Sequence, residues 1–82
     1  MQITGNIYQR IHALNKADFR AMRADLRHID AYYAILNGEG ESVSQDEKIA
    51  LRRTYEKHGV YVSSEEIITA VYVTMGRSAQ LR

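Results

Sequence analysis

Phe19, Met22, Leu26, Ile29, Tyr33 and Leu36 follow one another at spacings of three and four residues in strict alternation. An α-helix returns side chains to one face at that interval and an extended strand does not. The spacing therefore predicts one continuous amphipathic helix over residues 16–36, with its apolar seam laid lengthwise against neighbours. Alanines at 17, 21, 24, 31 and 34 favour the helix. Asn15 can cap its start, with Asp18 at the third position, and Asn37-Gly38 offers a left-handed stop. The repeat is too short for a free-standing coiled coil, so a small helical bundle is the expected architecture.

Three shorter helices complete that bundle. Ile3, Ile7, Ile11 and Leu14 recur at helical spacing and predict a helix over 4–14, opening at Thr4 or Asn6. Ser44-Gln45-Asp46-Glu47 has the form of a capping box, and Lys57, His58 and Gly59 suit a helix end, which gives a helix over 45–58. Its apolar face is thin, with Leu51 and Tyr55 on one side and Ile49 on another, so it is expected on the outside. Ser63-Ser64-Glu65-Glu66 repeats the capping box, with Val62 and Ile67 placed as a hydrophobic staple. The last helix then covers 64–76, burying Ile67, Ile68, Val71 and Met75 with Tyr72 at the edge. Gly76 stops it, and residues 77–82 form a frayed tail.

The fold class expected is all-α, a bundle of about four helices with one long central helix. The alternative is α+β: residues 67–74 are rich in β-branched side chains, and 60–62 with 67–74 could pair as a C-terminal hairpin. The capping box and staple favour the helix.

With 82 residues the chain is expected to form a single helical domain, 1–82, with a thin core. The absence of cysteine excludes disulfides and Cys-ligated zinc within it. It also suits a cytoplasmic protein. No apolar run reaches the length that spans a bilayer, and residues 1–6 do not read as a signal peptide. The net charge of +1 is too balanced to name a partner, so any such claim rests on where charge is placed.

Lys16, Arg20, Arg23 and Arg27 run down one flank of the 16–36 helix, with Asp18, Asp25 and Tyr32 on the other. Guanidinium groups make forked bonds to carboxylate and phosphate alike, so the stripe could hold an acidic protein surface or a nucleic-acid backbone. It could equally be a solvated helix surface. A helix-turn-helix around Gly59 fails on charge, because Ser64, Glu65 and Glu66 would enter the groove first. Residues 36–47 lack the donors of a calcium loop, with Gly38 and Gly40 at positions that need oxygen ligands. Asp25 and His28, three residues apart on one face, suit a local polar pair better than a metal site. Glycine-rich phosphate loop, HExxH motif and nucleophile elbow are all missing.

These readings converge on a non-enzymatic protein-binding or regulatory module, without cofactor or metal, acting through a helical surface as a homodimer. Its expected contact residues are Arg20, Arg23, Arg27, Tyr32 and Tyr33, facing a protein partner with an acidic surface. The alternative is a small nucleic-acid-binding regulator that uses the arginine stripe.

Overall fold

A computed structural model describes residues 5–81, and within them the chain forms five α-helices: α1 Ile7–His12, α2 Lys16–Leu26, α3 Asp30–Leu36, α4 Gln45–Lys57 and α5 Ile67–Gln80. Short 3-10 turns occupy Gly40–Ser42 and Ser64–Glu66. The all-α architecture is thus as the sequence implies, and no strand occurs among the described residues, which removes the hairpin alternative. Ile3 and Thr4, assigned to the first helix by spacing, lie outside the described residues.

Side-chain oxygens open the helices where the sequence places them. Asn6 accepts from the Gln9 amide at 2.9 Å and Asn15 from the Asp18 amide at 2.8 Å. Ser44 and Glu47 close a reciprocal capping box, and Ser63 and Glu66 close another ahead of α5. Each box satisfies two amide donors that a bare helix start leaves open. That local chemistry outweighs the β-branched composition of residues 67–74. At the other ends, Gly38 and Gly59 adopt φ of +82° and +84°. The amides of Glu39 and Val60 then reach back to the carbonyls of Ala34 (2.8 Å) and Tyr55 (3.0 Å), the long bond of a Schellman motif.

The central helix differs from expectation. It is not one rod over 16–36 but two helices, α2 and α3, separated at Arg27-His28-Ile29. The amides of His28 and Ile29 close three-residue turns onto Asp25 and Leu26, and Ile29 is extended, with φ −106° and ψ 119°. The break re-aims the apolar seam. Phe19, Met22 and Leu26 are buried on α2 as the spacing demands, but α3 buries Ala31, Tyr32 and Ile35. Tyr33, assigned to the seam, is 42% exposed. The reason is that residues 31–35 carry two apolar registers, and only a change of direction brings Ala31, Tyr32 and Ile35 over the core.

α5 departs from its predicted end as well. It runs through Gly76 to Gln80, so residues 77–80 are helix rather than frayed tail. Gly76 has no positive φ and does not act as a stop. What holds the last turns is Arg77, 8% exposed, whose guanidinium donates to the carbonyls of Ile11 (2.6 Å) and Leu14 (2.7 Å) and sits over the ring of Phe19. α5 is the hub, packed against α1 on one side and α3 on the other, while α4 closes over α2 and α3. Val60 and Val62 turn inward from the extended segment before α5, and Leu51 and Tyr55 supply the buried face of α4.

Candidate functional site

The core side of α5 is made by Ile67, Ala70, Val71, Thr74 and Arg77. Helical geometry then sends Thr69, Tyr72, Gly76 and Ala79 to the opposite side, and all four are exposed. Met75, predicted to be buried, stands outward beside them at 45% exposure, with Tyr72 at 40%. Between Ile67 and Gln80 the single charged residue is Arg77, which is buried. The outer face of α5 therefore presents no charge along about 20 Å of helix, the length of fourteen residues.

Two features fix the face. The Tyr72 hydroxyl donates to the Ile35 carbonyl at 2.8 Å, which pins its ring toward α3. Gly76 leaves open space, for a Cβ built there would meet nothing within 4 Å. Glycine inside a helix costs about 1 kcal/mol relative to alanine, and no contact among the described residues requires it at this position.

The two ends of the face differ in charge. Near its start, Ile68 packs on Gly40, where an added Cβ would come within 3.0 Å of the Ile68 side chain. That close approach sets the exposed Glu39 and Glu41 beside the first turn of α5, where Glu65 is exposed too. Near its end, Arg23 reaches across from α2 to bond the Ser78 hydroxyl. Acid thus flanks the start of the face, whereas Ser78 shares the core side of α5 with Val71 and Thr74, so the Arg23 guanidinium is held behind the other end.

The sequence-derived contact residues fall into two groups. Arg23, Arg27, Tyr32 and Tyr33 are brought together: the Tyr33 phenol beside Arg27 holds that guanidinium's proton more firmly than usual, and the rings of Tyr32 and Tyr33 meet edge to face, 5.6 Å between centroids. Tyr32 itself is 4% exposed, and burial raises its phenol above the ordinary value. It belongs to the core and cannot serve as a contact residue, because the turn at 27–29 rotates it inward. Arg20 is exposed and enters none of the ion pairs among the described residues.

Asp25 does not pair with His28. Its carboxylate takes the His58 ring at 2.7 Å and the Lys57 ammonium at 3.1 Å, tying α2 to the end of α4. The hydrogen bond from His58, then that from Lys57, holds Asp25 below the usual carboxylate range. This cross-link spans 33 positions in the chain, and no local spacing announces it. Glu66 is held low in the same way by a two-point bond to Arg10, whose guanidinium also donates to the Tyr61 carbonyl at 2.6 Å. No three metal-ligating side chains converge among the described residues.

No helix among the described residues is long and apolar enough to cross a membrane. Comparison with models of protein families finds no match, and comparisons with curated proteins and with solved structures find none either.

Proposed function

We propose that this chain is a non-enzymatic protein-binding module of the cytoplasm, and that its contact surface is the outer face of α5 with the adjoining corner of Arg23, Arg27 and Tyr33. The observation that carries this reading is the uncharged face itself. Tyr72 and Met75 stand in water on a helix whose solvent side has no charged residue. Aromatic residues, methionine and arginine are enriched in protein interfaces, and charged residues are depleted at interface centres. An uncharged strip edged by arginine and tyrosine has that composition. A nucleic-acid backbone would instead select a run of free cations. Here Arg23 is engaged by Ser78, and Asp25 lies on the same helix.

The test is site-specific photocrosslinking. A photoreactive residue at Met75 or Tyr33 should capture polypeptide in lysate of the native host, and one at exposed Arg53 should capture far less. Equal yields at all three positions, or no polypeptide adducts, would end the reading.

A further inference from the structure

The geometry points to a domain-swapped dimer of this chain, in which residues 16–36 of each copy straighten into one continuous helix and α1 and α2 dock on α4 and α5 of the other copy. The inference goes beyond the binding-module reading and does not depend on what the outer face of α5 meets.

In the single chain α2 buries Phe19, Met22 and Leu26, while α3 buries Ala31, Tyr32 and Ile35. A helix turns about 100° per residue, so on one straight helix the centres of these two sets lie roughly 180° apart. A straight helix therefore cannot turn both sets toward one core. The bend at Arg27-His28-Ile29 meets this need within one chain by re-aiming α3. Two copies meet it without the bend: the α2 half of the rod enters the core of the other body, and the α3 half stays in its own.

The outward residues of α3 favour the straight form. Ile29, Tyr33 and Leu36 continue the three-and-four spacing of α2, yet Tyr33 is 42% exposed and Ile29 and Leu36 are only partly buried. On the rod they fall on the side of Phe19, Met22 and Leu26, which is the side of the second body. The swap covers a seam that the bent chain leaves partly in water.

The bend itself is weakly enforced. No proline or glycine stands at 27–29, Arg27 and His28 are exposed, and no side chain caps the start of α3. The amides of Asp30 and Ala31, at the first two positions of that helix, have no intrahelical acceptor. In the rod they bond the carbonyls of Leu26 and Arg27. A connection of three residues is a short hinge, the kind through which copies exchange elements. The exchange also keeps the long-range contacts of the arm. α1 rests on α5 and α2 on α4. Arg10 with Glu66, Arg77 with the Ile11 and Leu14 carbonyls, and Asp25 with Lys57 and His58 then re-form between copies. A partner of other sequence does not carry this set of donors and acceptors, whereas a second copy does.

Sedimentation of the wild-type chain, refolded at millimolar concentration, should resolve a monomer and a dimer. In dimer refolded from isotope-labelled and unlabelled chains together, isotope-filtered NMR should find the contact of Phe19 with Arg77 between copies. Asp30→Pro tests the hinge. Ile29 is already extended, as proline requires of the residue before it, and Asp30 is exposed at the first position of α3, where proline is accepted. The variant should keep the circular dichroism of the monomer, while proline inside the rod should lower the dimer association constant at least about a hundredfold. Asp30→Ala suits both forms and should dimerise at least as tightly as wild type. A wild-type chain that stays monomeric after such refolding overturns the inference. So does a dimer whose Phe19–Arg77 contact stays within one copy, or an Asp30→Pro variant that folds and dimerises as tightly as wild type. The isotope readout uses the wild-type chain alone and decides the matter even where the proline variant does not fold. None of these outcomes touches the crosslinking at Met75, which judges the module reading by itself.

Discussion

The guanidinium of Arg77 lies over the ring of Phe19, 4.6 Å from its centroid, while its nitrogens bond the carbonyls of Ile11 and Leu14. One side chain of α5 thereby closes the end of α1 and covers the start of α2. Carbonyls at a helix end carry partial negative charge, so the cation is satisfied without a carboxylate. Arg77→Met would leave those carbonyls buried and short of donors, and should cost about 3 kcal/mol. Arg77→Lys should recover part of this, because one ammonium cannot reproduce the two-point fork. Urea unfolding measures both; a loss under about 1 kcal/mol for Arg77→Met would mean the contact is incidental.

Tyr55 and Thr74 form a buried relay with a defined direction. Thr74 Oγ1 lies 2.8 Å from the Ala70 carbonyl, which can only accept, so Thr74 donates there. The Tyr55 hydroxyl, 2.8 Å from the same Oγ1, must then be the donor to it. Burial pushes the Tyr55 phenol well above its ordinary pKa. Tyr55→Phe leaves the Thr74 donor satisfied and should cost about 1 kcal/mol. Thr74→Val strands the Tyr55 hydroxyl in the core and should cost about 2–3 kcal/mol. Chemical denaturation of the two variants should preserve that order, and the reverse order would refute the assigned direction.

Which parts of this arrangement were legible follows from where their causes lie. Caps at Asn6, Asn15, Ser44 and Ser63 and stops at Gly38 and Gly59 are made within a few residues, and each was readable from the chain. The break at Arg27-His28-Ile29 has no proline or glycine to mark it, and the apolar spacing runs through it unchanged. Its faint local sign is Asp30 in the first turn of α3, where a helix start favours an acid. The end of α5 was misplaced because Gly76 reads as a stop, and Arg77, the cause of its continuation, finds its acceptors more than 60 positions away. The same misplacement hid the candidate face: with Met75 assigned to the core, the uncharged outer strip could not be recognised. Arg23 and Arg27 are neighbours on α2 and its C-terminal cap, which their spacing alone implies, whereas Tyr33 comes to Arg27 only through the break that the spacing does not show.

Two glycines should respond to alanine with opposite sign. Gly59 holds φ of +84° in the stop after α4, a conformation that costs an alanine about 1–2 kcal/mol. Gly76 is an exposed helical position with free space, where alanine should add up to about 1 kcal/mol to monomer stability. Thermal unfolding at low protein concentration separates them. A destabilising Gly76→Ala in the monomer would show that the glycine serves the fold of one chain, and would remove its place in the proposed contact.

Acid should weaken the fold through Glu66. Its carboxylate takes the Arg10 guanidinium at 2.6 and 3.2 Å and the Ser63 amide at 3.1 Å. The Arg10 bond foremost holds its pKa below the ordinary value. A depressed pKa means the folded state binds this proton less readily than the unfolded chain does. The contribution is then fully present above the unfolded value of about 4.3 and disappears as pH falls through the lower folded value. Glu66→Gln keeps the shape of the side chain and removes the charge. Its melting temperature should lie below that of wild type at neutral pH, and the two curves should converge below about pH 4. A gap that stayed constant down to pH 3 would place the loss in packing or capping geometry, and not in the ion pair between α1 and the start of α5.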